Sequence, residues 1–174
     1  MNFDFSDDEK LVRDQTARYL SDNCDLSRVR SVLDGESNHA AEVWRGLVEM
    51  GLTGTCIPET HGGVDAGYLT LCLVAEQLGA HLAPTPFSSS VYLATEALLQ
   101  FGSQEQQQQW LPKLADGSVV GTLALTESTQ ELTAQSVAVT AKGGELTGTK
   151  LIVPDGDIAD VAVVVAQGED GVGM

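Results

Sequence analysis

The sequence predicts an α+β chain: an amino-terminal all-α helical domain over residues 1–117, followed by an incomplete antiparallel β-domain over 118–174. Three observations carry this reading. Apolar residues recur at helical spacing up to Gly117, two capping boxes open helices within that stretch, and beyond it β-branched residues in alternation replace leucine and alanine. At 174 residues and 18.4 kDa, with 43% hydrophobic and only 20% charged residues, the chain has enough apolar surface to bury a core.

In order, Ser6-Asp7-Asp8-Glu9 reads as a capping box with three acids opposing the helix dipole, and Val12, Thr16, Tyr19 and Leu20 share the face behind it. A short helix starts near Ser27. A third carries Val43, Trp44, Leu47 and Val48 and stops at Gly51, which suits a left-handed cap; Trp44 is expected in the core. Residues 53–67 read as a loop, with Ile57-Pro58-Glu59 and His61-Gly62-Gly63 inside it. Leu69 to Leu78 is apolar all round, which predicts a central, buried helix with Cys72 inside. Ser88, Ser89 and Ser90 offer caps for a helix through Leu93, Ala97, Leu98 and Phe101, closed by Gly102. Ser103-Gln104-Glu105-Gln106 opens the last helix, which Pro112 is expected to end or kink. Strands are expected near 119–126, 136–141, 145–153 and 160–166, with turns at Lys142-Gly143-Gly144 and Asp155-Gly156-Asp157. Only a glycine-rich tail follows the apolar run Val161-Ala162-Val163-Val164-Val165, so the β-domain is expected to be cut short and to expose apolar surface.

The formal net charge is −16, and from Gly46 onward 3 lysines face 15 acidic residues, a local balance of −12. A polyanion needs a basic surface, so neither nucleic acid nor an anionic membrane is an expected partner. The three cysteines, Cys24, Cys56 and Cys72, are odd in number and lack metal-ligand spacing, which reads as reduced thiols in the cytoplasm; no leader or membrane span is recognisable. His39, His61 and His81 have no partner at metal-ligand spacing, so no metal site is expected. Cys56 near His61 lacks the flanks of a nucleophile, and His61-Gly62-Gly63 lacks the strand and lysine of a phosphate loop; a close backbone approach accounts for its glycines. The run Gln106 to Gln109 reads as an exposed helical face. Leu123-Ala124-Leu125-Thr126-Glu127 is open to two readings: an edge strand, or backbone amides plus a hydroxyl that bind a planar, hydrogen-bonding ring.

Five ordered segments then resemble the acyl-CoA dehydrogenase family: Ile57-Pro58-Glu59-Thr60-His61-Gly62-Gly63 (P-E-x-x-G-G), Glu76-Gln77-Leu78-Gly79 (E-E-L-G), Phe101 to Gln107 with Trp110 to Gly117 (G-S-E-E-Q-K then Y-L-P-x-L-A-S-G), Ala124-Leu125-Thr126-Glu127 (A-L-T-E), and Leu146-Thr147-Gly148-Thr149-Lys150 (L-N-G-x-K). The resemblance implies the amino-terminal helical domain and the start of the middle β-domain of an FAD enzyme that oxidises the Cα–Cβ bond of an acyl-CoA and passes electrons to an electron-transferring flavoprotein. It implies a dimer or tetramer with itself or with a paralogous subunit, and a catalytic glutamate in a later helical bundle, so no catalytic residue is assigned here. By the same resemblance Leu123, Leu125, Thr126, Ile152 and Pro154 are the cofactor-binding positions. Two segments depart from the pattern. Ser128-Thr129-Gln130-Glu131-Leu132 replaces P-x-A-G-S-D after the Thr-Glu pair, and Ile152, Val153 and Pro154 replace an aromatic residue, an isoleucine and a hydroxyl residue. Each lost hydrogen-bond partner is worth about 1–3 kcal/mol, which raises the alternative of a noncatalytic partner subunit in a heteromeric dehydrogenase.

Overall fold

The computed structural model describes residues 4–128 and 133–174. Among the described residues six α-helices lie between Asp7 and Ala115 and six short strands follow from Gly121. Helix α1 (Asp7–Asn23) opens on the expected capping box: the Glu9 amide donates to Ser6 Oγ and the Ser6 amide to the Glu9 carboxylate. Thr16 and Leu20 are buried on its inner face, which lies along α4 (Gly67–Ala80). Helix α2 (Leu26–Leu33) is capped by Asp25, and α3 (Ala41–Glu49) buries Val43, Trp44 and Leu47. Trp44 meets Phe87 edge-on at 6.3 Å, inside a core that also holds Leu20, Leu52, Val74 and Leu78. Gly51 takes φ +73°, the left-handed conformation expected after α3.

The 51–66 loop is bound by its own backbone. Amides of Gly63, Val64, Asp65 and Ala66 donate to carbonyls of Pro58, Gly54, Ile57 and Thr55. A Cβ at Gly63 would run into the carbonyl of Ile57, so this glycine serves a close backbone approach.

Helix α4 departs from expectation. It buries Thr70, Leu71, Leu73, Val74 and Leu78, but Tyr68 and Leu69 are more than half exposed, and Cys72 is exposed rather than buried. Its apolarity is continuous in sequence, yet only one side meets the core, and periodicity cannot distinguish a helix packed on all sides from one packed on a single side. The next helical stretch also differs. Ser88, Ser89 and Ser90 do not cap it; they lie inside a π-helical segment, Ser88–Thr95, that runs directly into α5 (Glu96–Phe101). Two of the three hydroxyls reach the β half: Ser89 Oγ donates to Asp155 at 2.6 Å, with the Pro86 carbonyl also at 3.0 Å, and Ser90 Oγ accepts the Gly121 amide at 3.1 Å. Helix α6 (Gln104–Ala115) has the expected Ser103/Gln106 capping box but continues past Pro112 for one more turn, because Leu111, Leu114 and Ala115 are buried against Ile57 and Leu98. Tertiary burial there outweighs the one backbone bond that proline removes.

The strands are shorter than predicted and their pairing is mixed rather than purely antiparallel. Strand β1 (Gly121–Ala124) pairs in parallel with β4 (Val161–Val164), Gly121 opposite Val161. A second sheet has the order β3 (Glu145–Thr147), β2 (Thr140–Lys142), β5 (Ala166–Gly168), β6 (Gly171–Gly173). Its two hairpins are antiparallel, turning at Gly143-Gly144 and at Glu169-Asp170, but β2 and β5 meet in parallel. What reads in sequence as a glycine-rich tail is therefore strand β6. Strand propensity reports pairing but not its direction, because parallel partners are set by connections that only the folded chain reveals. Apolar surface does remain open on this half: Leu146, Leu151, Ile152, Val172 and Met174 are each at least 40% exposed. No described helix is long and apolar enough to cross a membrane.

Candidate functional site

Strand β1 is held against the helices by a close approach at its first residue. Gly121 is buried, and a Cβ there would stand 2.6 Å from the Ala94 methyl and 2.9 Å from a Leu114 methyl. Ser90 of the π-helical segment receives its amide. The strand then runs into Leu125, Thr126 and Glu127, which are part-buried.

The two segments that sequence assigns to cofactor binding, Leu123 to Thr126 and Ile152 to Pro154, lie side by side. Thr122 Oγ1 donates to the Pro154 carbonyl at 2.6 Å, and the Leu151 amide donates to the Thr126 carbonyl at 2.7 Å. Lys150 Nζ donates to the Leu125 carbonyl at 3.0 Å. Within this strip Ile152 is 86% exposed and held at φ +53°, Pro154 is exposed, and Leu123 is half-buried. The carbonyls of Leu125 and Thr126 are committed. By contrast, the amides of Leu125 and Thr126 and the Thr126 hydroxyl have no hydrogen-bond partner among the described residues. Two amides and a hydroxyl left open beside exposed apolar side chains form a donor set that suits the acceptor-rich edge of a flavin ring, with Ile152 and Pro154 as apolar contact. The residues present thus fit the group on the Thr126 side. On the Ile152 side no hydroxyl is offered, as the sequence departure predicts. Of the replaced segment Ser128 to Leu132, residues 129–132 lie outside the described residues.

Glu127 and Lys150 escaped sequence reasoning except as letters in two motifs. They form an ion pair at 2.6 Å with side chains only 12% and 7% exposed. The Glu127 carboxylate also accepts the amides of Ala138 at 2.7 Å and Val139 at 3.1 Å. The hydrogen bond from Lys150, reinforced by these two amides and the lysine charge, holds the Glu127 carboxyl below the usual carboxylate range. One signal was available: Lys150 is one of only 3 lysines in an acidic stretch of balance −12, so its charge has few competitors and many suitors.

Two hollows lie elsewhere. A cavity of about 510 Å³ opens between α5, α6 and the strands β2 to β6, lined by Leu98, Phe101, Trp110 and Val163 among others, and it includes none of the five positions expected to bind the cofactor. A second, of about 300 Å³, is lined by Leu78, Leu82, Phe87 and Tyr92. Burial drives the Tyr92 hydroxyl up to about 12 and the Cys56 thiol up to about 11, with Cys72 adding to the first and Glu96 to the second, so neither ionises near neutrality. Among the described residues no three His, Cys, Asp or Glu side chains gather as a metal would require.

Residues 6–118 match the family model of the acyl-CoA dehydrogenase N-terminal domain. The acyl-CoA dehydrogenase FadE27 of Mycobacterium tuberculosis is 38% identical over 136 residues, covering 78% of this chain and 36% of that protein. Among solved structures, the ChsE4-ChsE5 complex of Mycobacterium tuberculosis superposes with TM-score 0.85 at 30% identity, over 99% of this chain and 47% of that one. An acyl-CoA dehydrogenase complexed with FAD from Bacillus anthracis gives TM-score 0.84 at 25% identity, over 97% of this chain and 30% of that one. The chain thus spans less than half the length of these relatives.

Proposed function

Since the chain belongs to the acyl-CoA dehydrogenase family, we propose that it contributes the helical and flavin-facing parts of an FAD-dependent α,β-dehydrogenation of an acyl-CoA thioester in cytoplasmic lipid oxidation, with electrons leaving to an electron-transferring flavoprotein. The single observation that carries this is the open donor set, the Leu125 and Thr126 amides with the Thr126 hydroxyl, beside the Ile152 to Pro154 strip. In this reading residues 1–117 form the helical domain and 118–174 the part of the β-domain that holds one edge of the flavin. Bound FAD supplies the hydride acceptor. The chain's own residues bind and orient: Leu125 and Thr126 donate, Leu123, Ile152 and Pro154 exclude water from an apolar side, and the bonds from Thr122 and Leu151 keep the two strips adjacent. By the family resemblance the base that removes the α-proton belongs to a later helical bundle, so no described residue is given that role.

A second reading has its own support. The strip over residues 152–154 offers no hydroxyl, and one structural relative is itself a complex of two differently named chains. A noncatalytic partner subunit fits both. Titration with FAD, followed by quenching of flavin fluorescence, separates the readings. Saturable binding that weakens about fivefold to tenfold in Thr126→Val, the loss of one hydrogen bond, supports the first. Absence of binding, with uptake only when a second chain is added, selects the partner reading. Absence under both conditions sinks both.

A further inference from the structure

We infer that the Lys150–Glu127 pair is the positioning device of the candidate flavin strip: it clamps three separate segments so that the Leu125 carbonyl, and with it the Thr126 amide, is held in one orientation. This rests on the reading that the strip holds a flavin. Lys150 Nζ bridges the Leu125 carbonyl and the Glu127 carboxylate, at 3.0 and 2.6 Å. Glu127 in turn carries the amides of Ala138 and Val139, so one carboxylate gathers donors from two other parts of the chain. With the adjacent Leu151 amide on the Thr126 carbonyl, both carbonyls of the dipeptide are occupied by donors of residues 150–151. A peptide group is planar, so fixing its carbonyl fixes where the next amide points: the Leu125 carbonyl sets the Thr126 amide.

Burial makes this arrangement costly to keep for stability alone. An ion pair with both side chains nearly covered is often matched or exceeded in stability by well-packed apolar residues, whereas losing one partner strands the other. Four polar contacts at one ammonium–carboxylate pair, in a chain whose other ion pairs among the described residues sit at the surface, point to a geometric task. Neither residue touches the bound group in this scheme. Both act through the backbone they hold.

The test compares wild type, Lys150→Met, Lys150→Arg and the apolar double variant Glu127→Leu/Lys150→Met in the purified protein. Three readouts are used: thermal midpoint without flavin, FAD affinity by fluorescence quenching, and hydrogen exchange at the Ala138 and Val139 amides. The double variant is expected to keep its midpoint near wild type while FAD affinity falls at least tenfold and exchange at both amides quickens at least tenfold. Lys150→Arg, which keeps the charge, is expected to recover most of the affinity that Lys150→Met loses. Affinity that follows the midpoint through the whole series would mean a merely structural pair and would overturn the inference. Wild type that binds FAD, with variants that bind it equally, overturns the inference and leaves the function standing. Wild type that takes up no FAD removes the functional reading instead, and the clamp is then judged by exchange: unchanged rates in the double variant overturn it, and faster rates uphold it.

Discussion

Removing the Ser90 hydroxyl tests how the helices hold the first strand. Ser90 is 1% exposed and its oxygen is the acceptor for the Gly121 amide, itself buried where β1 presses on Ala94 and Leu114. In Ser90→Ala that amide is left without a partner in a place water cannot reach, a penalty of about 1–3 kcal/mol. Alanine is the better helix former by roughly 0.5 kcal/mol, so the intrinsic term has the opposite sign. The difference predicts a net loss of about 0.5–2.5 kcal/mol, or about 1–10 °C in thermal midpoint for a chain of this length at about 2–4 °C per kcal/mol. Ser88→Ala is the matched control, since Ser88 is exposed and makes no bond to β1; there the propensity term acts alone, and the midpoint should hold or rise slightly. Thermal unfolding followed by far-ultraviolet circular dichroism measures both. Equal behaviour of the two variants would refute the strand–helix contact, because the sign difference between them comes only from the Gly121 amide.

Two further outcomes follow from the ionisable groups. Alkylation near pH 8, read by mass spectrometry of the native protein, should modify exposed Cys72 first, while Cys56, about two units above its ordinary 9.0, should react on the order of 100-fold slower than in the denatured chain; equal native and denatured rates at Cys56 would mean that its burial is not real. Glu127 ionises more readily when folded than unfolded, so its contribution is present above the ordinary carboxylate value of 4.5 and is lost as pH falls through the lower folded-state value. Urea midpoints across that acid range should therefore fall less steeply in Glu127→Gln than in wild type, and parallel curves would count against the pair.

What could be read from the sequence was local, and what could not was set by distant partners. The capping boxes at Ser6 and Ser103 close within three residues, and Gly51 answers to its own φ, so each was visible in a short window. The π-helical winding at Ser88–Thr95 was not, because the hydroxyls involved answer to Gly121 and Asp155, 31 and 66 residues away. That the helix runs on past Pro112 was hidden for the same reason: the burial of Leu111 and Leu114 lies in contacts with Ile57 and Leu98. At the candidate site the five positions expected to bind the cofactor came from motif resemblance alone. The side-by-side placement of their two segments, and the ion pair beneath them, emerged only from hydrogen bonds between Leu125, Thr126 and residues 150–151.

The parallel register of β1 with β4 sets an order of events during synthesis. Gly121 to Ala124 leave the ribosome well before Val161 to Val164, with 36 residues between the two strands. At about 5–20 residues per second the first strand waits roughly 2–7 s for its partner. During that interval it has the helices already made and nothing else, and the Ser90 hydroxyl is the one acceptor they offer to its amides among the described residues. The helical half therefore acts as a holding template for a lone strand, guarding one edge until the other half of the ladder arrives. A nascent chain stalled between residues 125 and 160 should carry native helices with an unpaired β1, and it is in that window that a chaperone would find the most to do.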